Sequence, residues 1–201
     1  MANKFYTIKL SIFIVIIFVI QIISPVFTDW FVLDQTSYSQ VWRFISSIFL
    51  HGGLLHLIYN LFALLLFGLV LESTIGSKKF ILTFLLTGIL ANIFSINFYD
   101  SSLGASGAIF GVIGCLIILR PLMTVWAYSL PMPLFLAGIL WAIGDSLGIF
   151  MPSNVANIAH LSGLFFGLIL GALFKDWTRK QRNNITVNEN EIRHWENTWM
   201  K

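Results

Sequence analysis

A serine hydroxyl attacks a carbonyl only when a neighbouring base takes its proton, and a neutral imidazole is the usual base. Ser106 and His160 fit these roles. Ser106 opens an apolar stretch that holds Gly107, Gly111 and Gly114, and His160 stands in another, followed by Gly163, Gly167 and Gly171 at offsets of three, seven and eleven. Those offsets keep His160 on the glycine ridge of one helical face. Small residues at this spacing let two membrane helices approach until their backbones nearly touch. Packing the two ridges predicts Ser106 and His160 within hydrogen-bond range. Phe110, one turn below Ser106, is then placed to stack on the imidazole and fix its plane. Acyl transfer also needs donors for the charge that develops on the attacked oxygen. His56 and Asn60, spaced i, i+4, can point at one spot, and the Ser106 N–H at a helix start can join them.

The elements that carry these residues belong in a membrane. Of 201 residues 57% are hydrophobic and 10% charged, with mean hydropathy +0.84. Soluble chains carry about 25% charged residues. With 19 Phe and 7 Trp, too little polar surface is left to coat a globule. The composition therefore indicates an integral membrane protein. The lone Cys115 excludes a disulfide within the chain, and a scattered net charge of +3 excludes a nucleic-acid partner.

Six apolar stretches approach the roughly 20 residues that a membrane-spanning helix needs. They run from Phe5 to Ile23, Leu54 to Leu71, Phe80 to Ile96, Ser106 to Leu119, Met132 to Ile149 and Asn157 to Phe174, the fourth being conspicuously short. The first reads as a retained anchor, since no small-residue cleavage site follows it before Pro25. The expected fold is an all-α, polytopic, six-helix bundle over residues 1–174 with a cytoplasmic tail over 175–201. In that tail Ile192, Trp195 and Trp199 share a helical face, which suits either a short helix on the bilayer surface or a disordered end with exposed tryptophans.

Lys and Arg accumulate in cytoplasmic loops. Eleven of the twelve fall on one side of a six-span arrangement and only Arg43 on the other. Both termini are thus expected in the cytoplasm, the membrane being the cell membrane, with the loops around 24–53, 97–105 and 150–156 outside. At ~1.5 Å per residue, Ser106 lies ~21 Å above Arg120, His160 ~22 Å above Lys175, and His56 and Asn60 ~24 and ~18 Å above Glu72. Three helices entering from outside present their polar residues at one depth, and such a layer must line a water-filled cavity.

These residues resemble the rhomboid intramembrane serine proteases. Four motifs carry the likeness: Trp42-Arg43, the run from His51-Gly52-Gly53 to His56 and Asn60, Gly104-Ala105-Ser106-Gly107, and Ala159-His160 followed by Gly163 and Gly167. The resemblance implies a minimal six-helix form with a short, surrounded fourth helix and a first outer loop lying partly in the membrane. It implies Ser106 as nucleophile, His160 as general base, and His56, Asn60 and the Ser106 backbone as the oxyanion hole. Gly104 and Gly107 support the dyad, and Gly111, Gly163, Gly167 and Gly171 pack the helices. Substrates would be single membrane-spanning helices, admitted past the fifth helix and the cap at Phe150 to Ala156, and cut near the outer face. No cofactor is expected.

Other readings accompany these. Ser106 alone is equally a small contact residue, and His56 with Asn60 can be interhelical hydrogen-bond glue. His51 reads as structural. A metal is not expected, because His51 and His56 are five apart and no HExxH occurs. Asp145, near the outer end of the fifth span where it can reach interfacial water, reads as packing or gate polarity, since the family generally manages with two residues; orienting His160 as a third residue is the lesser alternative. Glu72 and Arg120 read as interface anchors, and Cys115 as a buried small residue. A rhomboid-like protein that binds membrane helices without cutting them is the alternative function. A transporter would show internal repeats or charged midplane residues, and neither is present.

Overall fold

The computed structural model describes residues 5–151, 155–183 and 189–200. Helix α1 (Tyr6–Ile23) leads into a first loop that holds α2 (Pro25–Phe31), β1 (Leu33–Asp34) and the one-turn α3 (Arg43–Ser46). Helix α4 (Leu54–Ile75) contains a π turn over Leu64–Gly68 and meets α5 (Ser77–Ser95) at Gly76. Strand β2 (Ser101–Ser102) precedes α6 (Ser106–Leu119). A hairpin of β3 (Thr124–Ala127) and β4 (Leu130–Pro133) then feeds α7 (Leu134–Gly148), and α8 (Asn157–Asn183) and α9 (Glu189–Trp199) follow.

Apolar runs become helices here because hydrocarbon offers no partner to a backbone N–H or C=O, so each must be paired within its own segment. Among the described residues four helices are long and apolar enough to cross a membrane: α1, α4, α5 and the part of α8 from Asn157 to Lys180. The remaining two expected spans, α6 and α7, are apolar but have only 14 and 15 residues. At ~1.5 Å per residue each reaches little over 20 Å.

The expected all-α class is modified, among the described residues, by two antiparallel pairs. Leu33 pairs with Ser102 and Asp34 with Ser101, which clips the first loop to the segment just ahead of Ser106. The β3–β4 hairpin turns at Tyr128 and Ser129, both with positive φ, as a two-residue hairpin turn requires. At the other end, α8 does not stop at Phe174 but continues to Asn183, carrying helix into the expected tail. The Lys79 ammonium lies over the ring of Trp177 and near that of Phe174, which fastens this extension to the start of α5. In α9, Ile192, Trp195 and Trp199 are exposed. Residues 152–154 of the expected cap lie outside the described residues.

Glu72 is not an interface anchor. It is 2% exposed and accepts the N–H groups of Tyr6 and Thr7 at 2.9 Å each, the Thr7 hydroxyl at 2.7 Å and the Ser77 hydroxyl. The first N–H groups of a helix have no partner inside it and carry its positive dipole end, so a carboxylate satisfies both needs. One side chain thereby joins α1, α4 and α5.

The core gathers on α6. From Gly107 to Leu116 every residue of it but Phe110 is buried. A Cβ built on Gly163 would lie 2.0 Å from the Gly107 carbonyl oxygen, and one on Gly167 2.0 Å from that of Gly111. On the opposite side Gly107 meets Ala91 and Gly111 meets Thr87. The short helix is therefore held between α8, through backbone contacts, and α5, through the side chains of Ala91 and Thr87, at distances that only glycine permits.

Candidate active site

The seam between α6 and α8 brings Ser106, at the first turn of α6, beside the first turns of α8. Both Ser106 and His160 line a cavity of about 1340 Å³, together with His56, Asn60, Phe110, Phe67 and Trp141. The His160 ring stacks on Phe110, with ring centroids 4.3 Å apart and planes 6° from parallel. Tyr99 holds the start of α8 by accepting the Ile158 N–H at 3.1 Å, tying it to the loop that leads to Ser106.

On the other edge of the imidazole, Nδ1 lies 3.0 Å from Oδ1 of Asp145. Asp145 therefore does not face interfacial water: it is 9% exposed and reaches inward from α7. The Ser106 hydroxyl lines the same cavity without a hydrogen bond to the ring, so the hydroxyl–imidazole contact expected from the ridges is not closed.

His56 and Asn60 stand on the N-terminal half of α4. The Gly52 N–H approaches His56 Nδ1 at 3.4 Å, an orientation that leaves the proton of a neutral ring on Nε2. One amide hydrogen of Asn60 goes back to the His56 carbonyl at 2.9 Å, and the other is free to donate. Ser106 is the first residue of α6, so its N–H has no acceptor within the helix. Gly104 has φ +126, a conformation that side chains rarely adopt, and a Cβ there would sit 2.7 Å from the His56 ring. Glycine is thus required at 104 on two counts.

Other residues hold this arrangement at a distance. Gln21 of α1 clamps the backbone of His51, accepting its N–H at 3.0 Å and donating to its carbonyl at 3.4 Å. The His51 ring packs edge-on against His56, with centroids 5.1 Å apart. In the first loop Arg43 pairs with Asp34 at 2.7 Å and donates to the Val32 carbonyl at 3.0 Å. Burial alone would raise the Asp34 carboxyl, but hydrogen bonds from Thr36 and the charge of Arg43 hold it below its ordinary 3.8. Asn92 of α5 donates to the Phe44 carbonyl and the Ser47 hydroxyl, and the Gly104 N–H donates to the Ser47 carbonyl. The loop, the clip and Gly104 form one connected support for Ser106. Among the described residues no three of His, Cys, Asp and Glu gather as metal ligands would.

Gln21, Tyr99 and Asn92 were invisible to sequence reasoning, being single polar residues with no local pattern. Asp145 did carry a signal, since an ionisable residue in an apolar helix marks a partner.

Fold and cavity together define a helical integral membrane protein with a serine and a histidine lining one pocket. A family model described as the rhomboid domain matches residues 38–177. The chain belongs to the rhomboid family. It is 34% identical over 145 residues to the mitochondrial RHOMBOID-like protein 6 of Arabidopsis thaliana, covering 71% of this chain and 46% of that one. It is also 29% identical over 141 residues to the rhomboid protease GlpG of Yersinia pseudotuberculosis, covering 68% and 49%. The match spans about half the length of these relatives.

Proposed function

We propose that this protein is an intramembrane serine endopeptidase that cuts single-span membrane helices near the outer face. Ser106 is the nucleophile and His160 the general base. As Ser106 Oγ attacks the carbonyl carbon, its proton passes to Nε2 of His160, and the carbonyl electron pair moves onto an oxygen received by His56 Nε2–H, the Asn60 amide and the Ser106 N–H. Collapse expels the amine, which takes the proton from His160; water then attacks the ester carbon as His160 takes its proton, and the second collapse breaks the bond to Ser106 Oγ, which regains that proton from His160 and frees the acid. The single observation behind this reading is that all four side chains line one cavity. Catalytic hydrogen bonds that are open in a resting site commonly tighten with substrate bound, which suits the unclosed Ser106–His160 contact. With α6 and α7 taken as two short spans beside the four long ones, the charge asymmetry of the loops supports a topology with both ends in the cytoplasm of a cell membrane.

Cleavage of a reporter membrane helix tests the proposal. Ser106→Ala and His160→Ala should each abolish cutting while expression is retained, and a fluorophosphonate probe should label only protein that holds both residues. Persistent cutting by Ser106→Ala would remove the mechanism, and a folded wild type that neither cuts nor labels would leave a helix-binding protein.

A further inference from the structure

Carboxylates are costly in hydrocarbon, so one that is retained there needs a partner that repays its desolvation. Asp145 stands on α7, with its side chain 10% exposed, and its one partner among the described residues is His160, whose side chain is 12% exposed. The contact joins two helices through the one nitrogen of the imidazole that faces away from its proposed catalytic use.

We infer that Asp145 is a positioning residue for the base, so that this chain works with a serine–histidine–aspartate arrangement in place of a bare dyad. The inference rests on the reading of Ser106 and His160 just given. Three constraints define the ring: Phe110 lies flat on one face at 4.3 Å, Asp145 Oδ1 holds Nδ1 at 3.0 Å, and the backbone of α8 fixes the stem. An ionised carboxylate can only accept, so Nδ1 carries the hydrogen and Nε2 presents its lone pair to the cavity. That is the tautomer that a general base needs. When Nε2 takes the Ser106 proton, the ring becomes an imidazolium in a poorly solvated place, and the Asp145 charge beside it stabilises that state without itself taking the proton. Without the carboxylate the ring divides between tautomers, one of which cannot accept from Ser106.

Other groups near His160 do not supply this. His56, Tyr59, Tyr99 and Asp100 are the remaining titratable side chains lining the cavity, and none is hydrogen-bonded to the imidazole. From α6 the ring meets Phe110, which carries no charge.

The test compares Asp145→Asn and Asp145→Glu with wild type in proteoliposomes, measuring kcat, KM, probe labelling of Ser106 and the pH dependence of kcat. Asparagine keeps the size and the link between α7 and α8, but its amide can donate to Nδ1 and favour the wrong tautomer. It should lower kcat about 100-fold or more with KM within about threefold. The rising limb of kcat against pH should move to lower pH, because nothing then favours the imidazolium. A purely structural tie between helices would lower the plateau and leave the limb in place. Asp145→Glu, which restores a carboxylate, should recover part of the lost rate. Should Asp145→Asn not fold, Asp145→Ser is read in its place against the same limb.

The inference is overturned if Asp145→Asn cuts like wild type, or loses activity with an unmoved limb, while Ser106→Ala and His160→Ala are inactive; the dyad reading then stands alone. If Ser106→Ala itself still cuts, both fall.

Discussion

Gly163→Ala puts the α6–α8 seam under direct strain. The added Cβ would meet the Gly107 carbonyl oxygen at 2.0 Å and its carbon at 2.9 Å, and both are backbone atoms that cannot rotate away. To restore an ordinary contact of about 3.4 Å the two helices must part by roughly 1.4 Å at this level. His160 lies one turn above, so a displacement of about 1 Å between the imidazole and Ser106 is expected. A misplacement of that size costs on the order of 100-fold in rate, whereas overpacking costs about 1–3 kcal/mol of stability. The assay is cleavage of a single-span reporter in proteoliposomes, normalised to folded protein by circular dichroism, with thermal unfolding measured in parallel. Gly144→Ala is the control, because a Cβ there meets only the Tyr128 hydroxyl at 3.8 Å; it should remain within about twofold of wild type. If folded Gly163→Ala cuts within about threefold of wild type, the backbone seam does not set the distance between base and hydroxyl.

Two further outcomes concern the support of the site. Glu72→Ala leaves the N–H groups of Tyr6 and Thr7 without their acceptor inside a buried site, and should lower stability by about 3 kcal/mol, read as an earlier thermal transition, while kcat of the folded fraction is little changed. The Asp34 carboxyl is held below its ordinary 3.8, so its contribution is complete above that value and is lost as pH falls through the lower folded value. Asp34→Asn should therefore make the first loop at pH 7 as open to limited proteolysis as the wild-type loop becomes only below about pH 4; equal cleavage rates at pH 7 would refute the role given to the Arg43 pair.

What the sequence discloses here is mostly what helices repeat locally. Gly163, Gly167 and Gly171 are legible as a ridge because a helix returns to the same face every three or four residues, and the ridge placed Phe110 and His160 on facing surfaces. Counting 1.5 Å per residue likewise put Ser106, His56 and Asn60 at one height. Height is not azimuth, however. On the sequence Asp145 is open to packing, gate polarity or orienting His160, because its direction is set by how α7 leans on α8. Glu72 shows the same limit, since its partners Tyr6 and Thr7 come from the start of the chain. The pairs Leu33–Ser102 and Asp34–Ser101 are too short to show any alternation. The end of α8 was misplaced because charge from Lys175 onward marks where lipid ends, while Arg, Lys and Gln sustain a helix well beyond it.

The placement of nucleophile and base on α6 and α8 bears on how the protein is made. Synthesis delivers the chain from its N-terminus, and segments enter the bilayer in that order. The serine, His56, Asn60 and both strands of the β1–β2 clip all precede the histidine in the chain, and the histidine arrives only with the last long helix. On the proposed mechanism, a chain that ends before α8 holds a hydroxyl with no imidazole to take its proton, so cutting would begin only once the last long helix has been inserted.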